Sequence, residues 1–219
     1  MGTETELAPV HPVVTPLERL RQLHTPAVSD AQRSLGVMRP AIHSIVPGLH
    51  LMGPAHTVKC YPGSIITVHK ALLEACPGEV LVVDGEGDER GALWRELMTL
   101  QAQRNGIAGI VVDGPVRDRQ GLSAAHFPTF ASHVTPRVGT NRRLGETQVL
   151  ISCGGIPVRP GDLILADDNG VVVIPAERPQ DVVEATEAVE RKEVGLREGI
   201  ATGRQLADLL GFRALIYGD

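Results

Sequence analysis

Two apolar strands joined by one helix constrain the fold of this chain more than any other feature. Val80–Asp84 reads as a buried strand, and a loop rich in glycine and charge leads from it into a helix that starts near Glu96. Gly106 follows that helix, where a C-terminal glycine is common, and a second apolar strand runs from Ile107 into Gly114-Pro115-Val116-Arg117-Asp118. This strand–helix–strand unit predicts an α/β fold. Both loops follow the carboxyl ends of strands, where open α/β folds usually bind ligands.

Three polar side chains in these loops are the candidates for chemistry. Twenty residues separate Glu96 from Arg117, which is one helix plus one strand, so the return of the chain brings Glu96 back near Arg117. Asp118 beside loop backbone suits a hard cation that keeps several waters, Mg²⁺ or Mn²⁺. The planar guanidinium of Arg117 suits a carboxylate or a carbonyl oxygen that becomes anionic. The local sequence leaves open an ordinary surface ion pair in a turn, since structural ion pairs outnumber catalytic ones.

Composition bounds the class of protein and of partner. A chain of 219 residues suits a single domain, predicted as residues 17–219, behind a proline-containing flexible arm of residues 1–16. A net charge of −5 and an aromatic content of 3% argue against nucleic acid as a partner. We expect no membrane span and no secretory signal, and hence a cytoplasmic protein with its three cysteines as free thiols.

Local patterns predict the remaining elements. Ser29-Asp30 reads as the N-cap of a helix through Leu35, and Leu97 and Leu100 are assigned to the apolar stripe of the central helix. Separate strands are predicted at residues 50–52 and 55–61, and Asn169-Gly170 predicts a hairpin with a type I′ turn. Arg137, Arg142 and Arg143 lie in a polar loop and are interpreted as a solvated face.

A long helix from Pro179 to about Ala201 holds a further informative carboxylate. Glu193 lies four residues after Val189 and three before Leu196, so it falls on the apolar stripe of this helix. A carboxylate on a packing face is costly unless it has a partner. The pattern leaves two interpretations open, a functional carboxylate or a glutamate at the edge of the stripe that reaches solvent.

The central residues resemble a family pattern. Glu96, the twenty residues after it and Arg117-Asp118, with Gly114 just upstream, resemble the D/E-x20-R-D pattern of the RraA-like family. That family includes class II 4-hydroxy-4-methyl-2-oxoglutarate/4-carboxy-4-hydroxy-2-oxoadipate aldolases and regulators of ribonuclease E activity. The resemblance covers about residues 20–203. Further matching segments are Ser29-Asp30-Ala31, Gly53-Pro54-Ala55, Thr57-Val58, Pro77 to Asp84, Pro160-Gly161-Asp162 and Ala166 to Val172.

The resemblance to the aldolase branch implies a fold, an assembly and a reaction. The fold would be the swivelling β/β/α domain, assembled as a homotrimer or homohexamer with active sites between subunits. The reaction would be retro-aldol cleavage of a 4-hydroxy-2-oxo acid to pyruvate, with oxaloacetate decarboxylation as a side activity. Asp118 would bind Mg²⁺ or Mn²⁺, and Glu96 together with Glu193 from a neighbouring subunit would orient the waters of the cation. Arg117 would stabilise the enolate, and the amides around Leu97 and Met98 would receive the pyruvate carboxylate.

Two departures from the family and two alternatives qualify this expectation. Arg95 stands where the aldolases usually have glycine, and Glu96 replaces the commoner aspartate, so Arg95 either narrows the pocket or adds an anion anchor. A regulator of ribonuclease E is one alternative, although the regulators lack the aspartate that Asp118 provides here. The other alternative is a related lyase or hydratase that acts on sugar-derived 2-oxo acids.

Overall fold

The computed structural model describes residues 15–218. The predicted arm of residues 1–16 lies outside this range except for Thr15 and Pro16, which cap and begin the first helix. The helices are α1 (Pro16–Leu20), α2 (Thr25–Ala31), α3 (Ile66–Glu74), α4 (Glu96–Arg104), α5 (Arg119–Ala124), α6 (Pro179–Ala201), α7 (Leu206–Leu209) and α8 (Arg213–Tyr217). The strands are β1 (His43–Ser44), β2 (Leu51–Lys59), β3 (Val80–Asp84), β4 (Gly109–Val116), β5 (Thr129–Val134), β6 (Glu146–Thr147), β7 (Ile151–Cys153), β8 (Ile156–Val158), β9 (Leu163–Asp167) and β10 (Gly170–Ile174).

One mixed sheet organises the domain and confirms the predicted α/β class. Its order is β1-β5-β4-β3-β2-β9-β10, with β6 paired to the end of β2. Strands β2, β3, β4 and β5 run parallel, while β1, β9 and β10 pair antiparallel with their neighbours. The first and last strands of the order also contact each other, so the sheet curls into a nearly closed barrel. Because β3 and β4 are parallel neighbours, their carboxyl ends lie at the same edge of the sheet.

Burial follows from the apolar runs of the two central strands. Every residue of β3 and β4 is buried, because helices cover one face of the sheet and the β7–β8 hairpin lies over the other. A third apolar cluster joins α1, α2 and α6 to β9 and β10. Buried Asp167 accepts hydrogen bonds from the amide and hydroxyl of Thr25, which fasten the start of α2 to the end of β9. No helix within residues 15–218 is both long and apolar enough to cross a bilayer.

Three local predictions are wrong. Helix α2 begins at Thr25 rather than at Ser29, because Asp167 holds Thr25 in place from a distant strand. The predicted separate strands are the single strand β2, in which Pro54 lies where pairing with β9 gives way to pairing with β3. The hairpin at residues 163–174 is confirmed, but its turn is not type I′, since neither Asp168 nor Asn169 has a positive φ.

The apolar stripe predicted for α4 is also wrong. Leu97 and Leu100 are 60% and 51% exposed, whereas Met98, Thr99 and Ala102 are buried. The buried face is fixed by the contact of α4 with the core, where the indole N–H of Trp94 donates to Thr99 Oγ1 at 2.8 Å. The cysteines are free, as predicted, and burial raises the pKa of Cys60 to about 12.

Candidate functional site

The candidate site lies at the carboxyl end of β4, where the strand turns into α5. The turn is made by Asp118, which adopts the left-handed conformation with φ 59° and ψ 41°. Asparagine and aspartate tolerate this region better than most residues. The amide of Arg117 donates to the carbonyl of Trp94 at 3.0 Å, so the loop before α4 is tied to the end of β4. Two segments that are distant in sequence thus meet at this turn.

Arg117 and Asp118 form an ion pair across the turn. Arg117 Nε donates to Asp118 Oδ1 at 3.2 Å, and the two side chains are 29% and 32% exposed. The remaining guanidinium N–H groups and Asp118 Oδ2 have no partner among residues 15–218. The pair therefore presents a cationic fork and a carboxylate oxygen to solvent at the same place.

Glu96 is the first residue of α4 and packs against the backbone of α5. A Cβ atom added to Gly121 would lie 2.5 Å from Glu96 Cδ and 2.6 Å from Glu96 Oε2, so the carboxyl group occupies the space that this glycine leaves. Gly121 is three residues after Asp118, and the contact places the exposed Glu96 carboxylate over the first turn of α5. No local sequence pattern points to the role of Gly121, because the contact joins two helices.

The backbone amides at the start of α4 differ in whether they are free to bind a ligand. The amide of Met98 donates to the carbonyl of Arg95 at 3.1 Å, and the Met98 side chain is buried. The amide of Leu97 makes no hydrogen bond within the described chain, and Leu97 is exposed. Of the two amides predicted to receive a carboxylate, Leu97 is the one left free to do so.

Arg95, the residue immediately before α4, has an unsatisfied donor. Its Nε is buried and has no hydrogen-bond partner among the described residues. Burial lowers the pKa of His69 on α3 below its usual value, and the positive charge of Arg95 lowers it further. His69 is therefore neutral near pH 7 and does not repel the guanidinium. A buried donor without a partner is costly and favours an incoming acceptor.

Glu193 lies apart from this group within the single chain. Helix α6, which carries it, packs mainly against α1, α2 and α7 rather than against β4 or α4. Glu193 is 41% exposed in its side chain and accepts a hydrogen bond from Arg197 one turn later at 2.5 Å. The described chain thus brings Glu96, Arg117 and Asp118 together but not Glu193.

The donor set at the turn fits a hard, partly hydrated cation. Within residues 15–218 no three histidine, cysteine, aspartate or glutamate side chains are grouped closely enough to enclose a metal ion. A cation held by Asp118 would take one direct ligand from this chain. Mg²⁺ is commonly bound in this way, by one or two carboxylates and several waters. The free Oδ2 of Asp118, at a partly exposed position, satisfies that requirement.

Two buried aspartates position the loops around the site, and the sequence analysis missed them. Asp84, the last residue of β3, and Asp113, inside β4, are paired neighbours. Asp113 is ion-paired with Arg39 and accepts from the amide of Gly154 at 3.0 Å, while Asp84 accepts from the amide of Glu86 at 3.0 Å. An aspartate directly after four apolar residues in both strands was the available signal.

Comparison with known proteins agrees with this architecture. A family profile described as RraA-like, Aldolase/RraA, matches residues 25–173. A Halalkalibacterium halodurans protein named "Putative 4-hydroxy-4-methyl-2-oxoglutarate aldolase" is 38% identical over 168 residues, covering 77% of this chain and 80% of that protein.

Two solved structures share the fold. One, from Pseudomonas syringae pv. tomato, has a TM-score of 0.79 at 34% identity and covers 89% of this chain and 96% of its own. The RNA-processing inhibitor RraA from Thermus thermophilis has a TM-score of 0.65 at 30% identity, covering 70% and 93%. The fold and the site thus describe one class of protein, an α/β domain with a nearly closed sheet and a charged turn after β4. The chain belongs to the RraA-like family.

Proposed function

We propose that this protein is a divalent-metal-dependent lyase that cleaves a 4-hydroxy-2-oxo acid, similar to 4-hydroxy-4-methyl-2-oxoglutarate, to pyruvate by a retro-aldol reaction. The observation that carries the proposal is the turn after β4, which joins a cationic fork and a free carboxylate oxygen in Arg117 and Asp118. A cation and an arginine are suitable partners for a 2-oxo acid whose carbonyl oxygen gains negative charge. The name of the Halalkalibacterium relative supports the same substrate class.

Each residue of the site has a role in this reaction. Asp118 would hold Mg²⁺ or Mn²⁺, and a cation bound there supplies Lewis-acid polarisation of the 2-oxo group. Arg117 donates to the same carbonyl oxygen as its charge grows, and the free Leu97 amide binds the adjoining carboxylate at the positive end of α4. Glu96, placed against α5, orients the polar groups around Asp118. The same stabilisation of an enolate predicts decarboxylation of oxaloacetate as a side activity.

Arg95 is proposed to bind the second carboxylate of a dicarboxylic substrate. Its buried, unpaired Nε lies one residue before Glu96, at the entrance to the same helix. Arg–carboxylate pairs are strong because two parallel hydrogen bonds form. A substrate with carboxylates at both ends would satisfy this donor as well as the Leu97 amide.

The assembly is proposed to be a homotrimer or homohexamer in the cytoplasm, with Glu193 supplied by a neighbouring subunit. Exposure of Glu193 on α6, remote from the turn in its own chain, supports an arrangement in which it serves another chain. The ion pair with Arg197 then holds the carboxylate in place beside the interface.

A second candidate function is regulation of a ribonuclease. The likeness to the RNA-processing inhibitor from Thermus thermophilis favours it. The presence of Asp118, with an oxygen free to bind a cation, favours the enzyme.

The experiment that separates these functions measures pyruvate. The full chain is incubated with 4-hydroxy-4-methyl-2-oxoglutarate and Mg²⁺, and pyruvate is followed through NADH oxidation by lactate dehydrogenase, with and without EDTA. A parallel arm measures cleavage of RNA by ribonuclease E in the presence of the protein. Pyruvate release that EDTA abolishes is the expected result. Inhibition of the ribonuclease with no pyruvate release would instead support the regulator.

A further inference from the structure

A surface recess of about 250 Å³ is lined by three arginines that the proposed reaction does not use. Arg90, Arg142 and Arg143 come from two different loops and surround the same space, with Tyr61 and Thr140 among its other walls. Arg90 belongs to the loop between β3 and α4, and the other two arginines belong to the loop between β5 and β6. The interpretation of Arg142 and Arg143 as an ordinary solvated face does not account for this convergence.

The backbone that carries the arginines is held by hydrogen bonds between the segments. The amide of Thr140 donates to the carbonyl of Gly63 at 2.7 Å, and the amide of Ile65 donates to the carbonyl of Thr140 at 2.8 Å. Ser64 Oγ donates to the carbonyl of Arg143 at 2.8 Å. The recess is therefore formed before any ligand arrives, which lowers the entropic cost of binding.

The guanidinium groups are oriented while most of their donors stay available. The guanidinium carbon of Arg143 lies 3.9 Å from the centre of the Tyr61 ring, and this stacking leaves the N–H edges of the group free. Arg90 Nε donates to Asp88 Oδ1 at 2.7 Å, which fixes that side chain but uses only one of its donors. Among residues 15–218, the guanidinium groups of Arg142 and Arg143 donate to no acceptor.

The charges around the recess do not cancel. Arg90, Arg142 and Arg143 are the charged residues among those that line the recess, and of the three only Arg90 is ion-paired within residues 15–218, with Asp88, so the lining is cationic on a chain of net charge −5. Like charges held close together repel each other, and a bound anion relieves the repulsion.

We propose that the recess binds a small anion with two or more negative charges, carried by a phosphoryl group or by two or three carboxylates. Arginine forks bind both groups through paired hydrogen bonds. The volume lies just below the usual range for drug-sized ligands, which favours a small metabolite over a nucleotide or a peptide. Neither Arg117 nor Asp118 is among the lining residues, so the recess would be a second binding site in the same chain.

Isothermal titration calorimetry of the full chain tests the proposal. Pyrophosphate and citrate are the probes, acetate is the monovalent control, and all titrations are run at one ionic strength on protein that a chelating resin has freed of divalent metals. The chain is expected to bind pyrophosphate, citrate or both, and to show no measurable binding of acetate; the probe that binds more tightly identifies the phosphoryl or the carboxylate source. Arg142→Gln removes an exposed guanidinium that makes no hydrogen bond to the described residues, and it is expected to weaken binding more than Arg137→Gln does. Arg142→Gln combined with Arg143→Gln is expected to weaken binding about tenfold or more.

The control variant is Arg137→Gln. Arg137 lies in the same loop and is exposed, but it does not line the recess, so its loss removes the same charge and should leave the affinity within about twofold. Binding is also expected to persist in an Arg117→Lys background, and Arg142→Gln is expected to keep the full rate of pyruvate release. The proposal is overturned if neither probe binds the wild-type chain, or if Arg137→Gln and Arg142→Gln weaken binding equally. Neither result bears on the proposed lyase.

Discussion

At the scale of single residues, the left-handed backbone of Asp118 determines what the candidate site can do. Adjacent side chains on an extended strand point to opposite faces, so Arg117 and Asp118 would diverge if β4 continued. The turn at φ 59° instead brings Nε and Oδ1 to 3.2 Å. The sequence shows that the two residues are adjacent, but not that the chain turns between them. The amide of Arg117 also donates to the carbonyl of Trp94, a contact between distant segments that no local pattern reveals.

Replacing Arg117 by lysine tests whether geometry or charge matters. Lysine keeps the positive charge but loses the planar fork, so Arg117→Lys is expected to lower the rate of pyruvate release by about a hundredfold or more. The matched control is Arg119→Lys, an exposed arginine two residues later, which should keep the wild-type rate. A steady-state assay checks both variants. Near-normal turnover by Arg117→Lys would show that charge alone is sufficient.

At the scale of secondary structure elements, the meeting of α4 with α5 positions Glu96. The presence of α4 was predicted from local periodicity, but its buried face was not. The packing of Met98 and Thr99 around Trp94 decides which side faces the core, and Leu97 and Leu100 are left exposed. The contact of Glu96 with Gly121 could not be predicted either, because it forms between two helices and depends on residue 121 having no side chain.

Alanine at position 121 should separate the role of Glu96 from stability. Gly121→Ala places a methyl group where the Glu96 carboxyl now lies, so that carboxyl must move, while alanine favours the helix by up to about 1 kcal/mol. The rate of pyruvate release is expected to fall about ten- to a hundredfold with no loss of thermal stability. Ser123→Ala, at an exposed position of the same helix, is the control and should be active. Full activity of Gly121→Ala would remove Glu96 from the mechanism.

The elements that sequence reasoning located correctly are those with a strong local pattern. The apolar runs of β3 and β4, the helix from Pro179 to Ala201 and the hairpin of β9 and β10 belong to this group. The errors arose where a distant residue overrides the local signal. Asp167 sets the start of α2 at Thr25 through two hydrogen bonds, although Ser29 has the residue type of an N-cap.

At the scale of the whole molecule, the proposed role of Glu193 requires a second chain, because α6 packs mainly against α1, α2 and α7 and not against the turn after β4. Glu193 was placed on an apolar stripe, and the structure shows it partly exposed and, among the described residues, paired only with Arg197. The stripe gives way to exposed apolar residues along the second half of the helix, including Val194 and Ile200. Ile200 lies on the same stripe as Glu193, seven residues later, and its exposed side chain beside a fixed carboxylate is suited to a contact with a second subunit.

Mixed oligomers test this arrangement. Glu193→Gln alone is expected to lower the rate of pyruvate release about ten- to a hundredfold with little change in melting temperature, because only the charge is removed. Subunits carrying Glu193→Gln are then mixed with subunits carrying Asp118→Asn, and native mass spectrometry verifies that they exchange. If Glu193 serves a neighbouring subunit, some sites combine two intact residues and activity returns. No recovery in verified mixed oligomers would place both residues in one chain.

The proposal that Asp118 holds a divalent cation needed for the reaction is tested most directly by measuring how pyruvate release depends on Asp118 and on the cation. Asparagine tolerates the left-handed conformation of residue 118, so Asp118→Asn removes the charge without straining the turn. We expect Mg²⁺ or Mn²⁺ to support pyruvate formation by the wild-type chain, EDTA to abolish it, and Asp118→Asn to lower it at least about a hundredfold. Asp30→Asn, at an exposed position of α2, is the control and should be unaffected. Undiminished, EDTA-sensitive turnover by pure Asp118→Asn protein would contradict the assignment of the cation to this turn.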